Sequence, residues 1–168
     1  ISMHILDIAQ NAISAKATMI EICINENIAK NLFEVIINDN GTGMDEDLLA
    51  HVTDPYTTTR TTRKVGLGIP LLKHSAEQTN GYIKVNSEKE AGTRIQAVFQ
   101  YDHIDRPPLG DCSGTVVLLA AANPDIDFKY IHQVNDKKYV FDTREIKEIL
   151  EDVKIDNNTI DCPTDTNG

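Results

Sequence analysis

Two polar residues four apart, Asp7 and Asn11, stand in the opening segment of the chain. On a helix they share one face. A carboxylate and an amide oxygen side by side suit a hydrated Mg²⁺ and a polarised water. Taken alone, they are equally two solvated positions on a surface helix. Asp39 ends an apolar stretch and leads into Asn40-Gly41-Thr42-Gly43-Met44. A carboxylate so placed can accept a hydrogen bond from an exocyclic amine such as that of adenine. Glycines there let the backbone approach a flat ring closely. The plainer alternative is an Asx turn after a strand. From Asp54 to Gly68 runs a lid-like polar segment whose threonines, Arg60, Arg63 and Lys64 supply donors. Gly66-Leu67-Gly68 precedes a helix whose N-terminal N–H groups make a phosphate seat. By itself this pair of glycines lacks both the third glycine of a dinucleotide loop and the lysine-serine pair of a Walker loop. Gly92-Thr93, alone, is only a turn.

These residues need elements to hold them. Residues 3–17 carry apolar positions at Ile5, Ile8, Ala9, Ala12 and Ile13, which is helical spacing. Residues 19–25 and 32–38 alternate and are β-branched, so they read as strands joined through Asn27 to Asn31. Asp45 opens a short helix over 45–52. The amphipathic stretch 69–81 reads as a helix with Pro70 in its first turn and Gly81 at its end. Residues 82–87 and 93–101 read as two further strands around a turn at Glu90-Ala91-Gly92. Arg106-Pro107-Pro108-Leu109-Gly110 marks a boundary. Beyond it, 114–122 reads as a helix capped by Ser113, with a strand as the open alternative. A hairpin comes next around Asn135-Asp136, and Asp142 to Glu145 fits a capping box opening a helix to Leu150. The polar residues 156–168 form a tail expected to fray.

The 168 residues suffice for one domain with a small addition. Sixteen basic and 26 acidic residues give a net charge of −10, which argues against general nucleic-acid or anionic-membrane binding. The acid is concentrated late: residues 1–110 hold 10 basic and 14 acidic side chains, residues 111–168 hold 6 and 12. The stretch from Pro55 to Ala76 runs the other way, with four bases and no acid. That is either a solvated basic loop or one that meets an anion. Cys23, Cys112 and Cys162 show no metal-ligand spacing, and a reduced, cytoplasmic compartment is the expectation. No apolar run is long enough to span a bilayer and no signal peptide is visible. The chain enters a helical pattern at once from Ile1-Ser2-Met3-His4, so an upstream segment is expected.

Taken in order, Asp7-x-x-x-Asn11, Asp39-x-Gly41-x-Gly43, Gly66-Leu67-Gly68 and Gly92-Thr93 resemble the GHKL ATP-binding superfamily. That group holds gyrase-type topoisomerases, heat-shock chaperones, mismatch-repair ATPases and histidine kinases. NAISAKATMIEICI resembles the N-box of the mismatch-repair branch. DPYTTTRTTRKVGLGIPLLKHSAEQTNGYIKVNSEKEAGTRIQAVF resembles the lid and glycine boxes of the histidine-kinase branch. The resemblance covers about residues 3–101. HIDRPPLGD (His103 to Asp111) and NPDIDF (Asn123 to Phe128) are similar to stretches of small stand-alone bacterial histidine-kinase-like and anti-sigma-factor-like ATP-binding proteins.

The resemblance implies an α+β two-layer sandwich of the Bergerat type. A mixed, mostly antiparallel sheet would be covered on one face by helices 3–17 and 69–80. The expected organisation is an ATP-binding domain over 1–106, a small α+β extension over 107–155 and the tail. Carried over residue by residue, Asn11 would hold Mg²⁺ against the phosphates and Asp39 would bind the adenine amine. Gly41 and Gly43 would floor the base pocket, Gly66 and Gly68 would cradle phosphate, and Thr93 would support the adenine end. Met44, Thr59, Arg60, Lys64 and Leu67 complete the expected ATP contacts. Asp7 sits where the ATPase and serine-kinase branches place a glutamate general base, one methylene shorter than that residue. Ser14 replaces an acid or base common at its position, and Lys64-Val65 replaces small residues.

Three functions remain open on this reading. One is a protein kinase in signalling; His4 would be a neighbour of the N-box, and no other histidine sits in a recognisable acceptor motif. A serine/threonine kinase of the anti-sigma type would use Asp7 as base and a second protein as substrate. The second function is a slow ATPase or conformational switch. The third is a non-catalytic ATP-binding module in which the extension meets a protein partner.

Overall fold

The protein's structure, a computed structural model, describes residues 1–54 and 68–158. The elements run α1 (Ser2–Ser14), β1 (Met19–Asn27), β2 (Leu32–Asp39), α2 (Glu46–His51), α3 (Gly68–Gln78), β3 (Tyr82–Glu88), β4 (Gly92–Gln100), α4 (Cys112–Ala122), β5 (Asp127–Val134), β6 (Lys137–Asp142) and α5 (Thr143–Asn158). The six strands form one sheet in the order β3-β4-β2-β1-β5-β6. Every pairing is antiparallel except β1 with β5. The expected two-layer α+β sandwich is therefore present.

Alternation builds the sheet's two faces. Ile20, Ile22 and Ile24 of β1 face inward with Phe33, Val35 and Ile37 of β2 and with Ile95, Ala97 and Phe99 of β4, all buried. The Phe33 and Phe99 rings meet edge to face at 5.7 Å. Against this face lie Ile5, Ile8, Ala9 and Ala12 of α1 and Ile69, Leu72 and Ala76 of α3. The opposite face is polar and self-bonded: Asn38 donates to Glu21, Arg94 to Asn38 and Gln96 to Glu34.

Helix α1 stops at Ser14, short of the expected residue 17. Its end is a Schellman turn: the N–H of Ala17 reaches the Ala12 carbonyl and that of Lys16 the Ile13 carbonyl. Lys16 takes the left-handed conformation (φ 61) that this turn demands. Helix α3 ends the same way, with Asn80 (φ 60) in the left-handed place rather than Gly81. Gly81 is needed for another reason, since a Cβ there would lie 1.7 Å from the Val98 carbonyl oxygen.

The boundary at Arg106 to Gly110 is a connector between β4 and α4. The residues beyond it share one sheet and one core with the residues before it. Strand β5 adds in parallel to β1, with Phe128 and Tyr130 buried, and β6 closes the row. Helix α4 packs on α1 and β5 on the same face as α3. Its cap is Asp111, whose carboxylate accepts from the Gly114 N–H at 2.9 Å; Ser113, the expected cap, lies two residues further on and donates to Asp111. Among the described residues no helix is long and apolar enough to cross a membrane.

Candidate nucleotide site

A cavity of about 470 Å³ opens at the sheet end where β2 stops and β4 begins. Its walls come from three places. Helix α1 contributes Ile8, Asn11 and Ala12 along its inner side and Ser14 to Lys16 at its end. The glycine turn contributes Thr42, Gly43 and Met44, and the sheet contributes Asp39, Thr93 and Ile95. Asp39 and Thr93 are direct cross-strand neighbours, so register alone sets them side by side. Asn11 faces them from α1.

The turn after Asp39 is held against both neighbours. Asp39 Oδ1 accepts from the Gly41 N–H at 2.9 Å. The Thr42 N–H donates to the Ala15 carbonyl at the end of α1, and the Thr42 carbonyl accepts from the Glu90 N–H in the β3–β4 hairpin. Asn40 reaches the other way: its Oδ1 accepts from the N–H groups of Thr18 and Met19, and its Nδ2 donates to Thr18 Oγ1. The chain passes so close to the hairpin at Gly43 (φ 69) that a Cβ would lie 1.9 Å from the Glu88 carbonyl oxygen. This close packing on the hairpin is what requires glycine at 43.

Burial pushes the Asp39 carboxyl above the usual carboxylate range, opposed by the N–H groups of Gly41 and Thr93. A half-buried carboxylate on an otherwise apolar floor, with Ile8, Ile69 and Ile95 around it, is a strong acceptor for a donor on a flat heterocycle. Below Thr93 sits Ser87, which sequence reasoning passed over. Ser87 Oγ accepts from the Met44 N–H at 2.8 Å, donates to the Gly92 carbonyl at 3.0 Å and lies 2.8 Å from Thr93 Oγ1. With the Ser87 proton spent on Gly92, Thr93 is left to donate to Ser87, which keeps the Thr93 oxygen free to accept. The hairpin register, which sets Ser87 opposite Thr93, was the available signal.

The structure brings Asn11, Asp39, Gly43, Met44 and Thr93 together around the cavity, with Gly41 in the turn below. Gly68 begins α3 buried against α1, where a Cβ would meet the Asp7 Cβ at 2.9 Å. Asp7 is exposed and stands beside the cavity rather than in its wall. Thr59, Arg60, Lys64, Gly66 and Leu67 lie outside the described residues. Lys16 and Ser14 enter the rim unforeseen as contacts, because only the turn ending α1 carries them there.

The chain is similar to known proteins in sequence and in fold. Residues 2–103 match the family model of histidine kinase-, DNA gyrase B- and HSP90-like ATPases. The chain is 33% identical over 91 residues to the sensor histidine kinase YvrG of Bacillus subtilis, covering 52% of this chain and 15% of that protein. It is 28% identical over 94 residues to the C4-dicarboxylate transport sensor protein DctB of Pseudomonas aeruginosa, covering 55% and 15%. The match thus spans about 15% of the length of these relatives. The fold superposes on the N-terminal domain of a DNA repair protein with a TM-score of 0.54 at 15% identity, over 83% of this chain and 51% of that one. The order of motifs, the sheet topology and the match over most of the first 103 residues converge: this chain belongs to the histidine kinase-, DNA gyrase B- and HSP90-like ATPase family, as an ATP-binding domain of the histidine-kinase type.

Proposed function

We propose that the chain binds Mg²⁺-ATP and serves regulatory or signalling protein phosphorylation. The observation that carries this reading is Asp39, a half-buried carboxylate beside the Thr93 hydroxyl at the floor of a cavity that Asn11 faces. Asp39 would accept the adenine amine and Thr93 would offer its oxygen beside it. Gly43 lets the ring lie close to the backbone. Magnesium is typically held by one or two protein groups plus substrate phosphates and water. Asn11 would be such a group, and Gly68 at the start of α3, packed against Asp7 and Ile8, would face the phosphates. In a phosphoryl transfer, Asp7 would take the proton of an acceptor hydroxyl on a second protein, and its exposed position leaves room for that protein. The reduced, cytoplasmic setting read from the cysteines belongs to the same proposal.

Calorimetric titration with ATP tests the reading, with and without Mg²⁺ and with GTP as control. Selective, Mg²⁺-sensitive binding of ATP is expected. Asp39→Ala should abolish it, and retained affinity in that variant would overturn the pocket assignment. Asn11→Ala should remove the Mg²⁺ dependence alone. Radiolabelled ATP then separates the chemistry: label on protein supports a kinase, free phosphate an ATPase, and neither a binding module.

A further inference from the structure

The late part of the chain leaves three apolar surfaces uncovered. Helix α4 carries no charged side chain over its 11 residues. Cys112, Val116 and Leu119 point inward, yet Val117 is 49% and Leu118 72% exposed. A helix apolar on every side is normally buried on every side. Beside it on the same face of the sheet, Tyr139 of the edge strand β6 is 56% exposed. Helix α5 then presents Ile146, Ile149 and Leu150, spaced three and four apart as one stripe and 41%, 61% and 55% exposed.

Among the described residues, α5 leaves the other two uncovered. It continues from β6 with no linker, and its first turns are pinned. Thr143 Oγ1 accepts from the Phe128 N–H at 2.9 Å. Buried Asp142 takes the Arg144 guanidinium through both oxygens, at 3.1 and 2.8 Å. Lys147 donates to Asp127 at 2.8 Å. These anchors hold the start of α5 on β5 while the stripe stays exposed. Charge says what can meet it. Exposed Glu145 and Glu148 flank the stripe on one side, and exposed Lys137 and Lys138 begin β6 next to Tyr139. Stripe and receiving face thus carry opposite charges on one chain, which fits them to a second copy.

We propose that the protein pairs with a second copy of itself, α5 of each protomer lying on the α4–β6 face of the other. The contact is two-fold, each protomer giving its stripe and receiving the other's. The lysines of each β6 then meet the glutamates of the other α5. This surface is remote from the nucleotide reading and does not depend on it.

Sedimentation velocity of the 168-residue chain over a concentration series is the test, with circular dichroism to confirm that each variant is folded. A concentration-dependent dimer is expected. Ile149→Glu with Leu150→Glu should weaken it by at least about tenfold, because charges are left in an apolar seam. Lys137→Glu with Lys138→Glu should weaken it too, and adding Glu145→Lys with Glu148→Lys should restore it. A chain that stays monomeric overturns the proposal, as does a dimer indifferent to the α5 variant. A folded charge-reversed pair that fails to recover also overturns it. So does a monomer that instead sediments with phosphatidylglycerol vesicles.

Discussion

Replacing Gly43 by alanine tests whether close backbone packing makes the floor of the nucleotide cavity. The new methyl would stand 1.9 Å from the Glu88 carbonyl oxygen, where real contacts essentially never fall below 3.0 Å. The turn and the β3–β4 hairpin must therefore separate by more than an ångström. That movement breaks the two bonds that join them, Met44 N–H to Ser87 Oγ at 2.8 Å and Glu90 N–H to Thr42 O at 2.6 Å. Each such bond contributes about 1 kcal/mol. The left-handed φ of 69 adds about 1 kcal/mol for any residue with a Cβ. The expected loss is thus about 3 kcal/mol, or a fall in Tm of roughly 6–12 °C for a chain of this size. Since Met44 and Gly43 line the cavity, ATP affinity should fall with it. Urea and thermal unfolding followed by circular dichroism measure the first effect, and calorimetry the second. Gly114→Ala is the internal control: its Cβ would meet only the movable carboxylate of Asp111, whose displacement costs at most the α4 cap, about 1 kcal/mol. A Gly43→Ala protein as stable as Gly114→Ala, with ATP affinity intact, would refute the reasoning.

Asp39→Asn should separate stability from binding. The Asp39 carboxyl is raised by burial, so the folded chain keeps its proton above 3.8 where the unfolded chain has lost it. Its contribution to stability therefore falls as pH rises from 3.8 through the raised value. The asparagine variant should lack that fall and unfold at higher urea at neutral pH than the parent. A difference between the two proteins that does not change with pH would count against this account. The same variant loses a charged acceptor worth about 1.5–3 kcal/mol, so ATP should bind roughly 10- to 150-fold more weakly. Ser87→Ala removes the acceptor of the Met44 N–H and the donor to Gly92. A cost of about 2 kcal/mol is expected, with faster hydrogen exchange at the Met44 amide. Unchanged protection of that amide would show that Ser87 does not hold the floor.

Local chemistry made much of this protein legible in one dimension. Period-two alternation over 19–25 and 32–38 and helical spacing over 3–17 come from burial on one face, which is written residue by residue. The motif order Asp7, Asn11, Asp39, Gly41, Gly43 and Thr93 carried the family, and the residues the cavity needed were already in it. The supports of that cavity were less visible. Ser87, Asn40 and the Ala15 carbonyl act through partners on other elements, and their residue types alone announce nothing.

Sequence by itself thus determined most of the elements, the polar residues that line the pocket and the family, because each is written in residue type and local spacing. Only the tertiary structure decided that residues after Pro108 extend the same sheet. The pairing of Ile20 with Phe128 joins parallel strands far apart in the chain, and no local period records such a partner. It decided, too, that Asp7 stands outside the cavity wall beside Gly68, a matter of how α1 and α3 pack rather than of spacing along α1. The same holds for the uncovered faces of α4, β6 and α5. Their exposure is set by how these elements pack and is not written in their residue types.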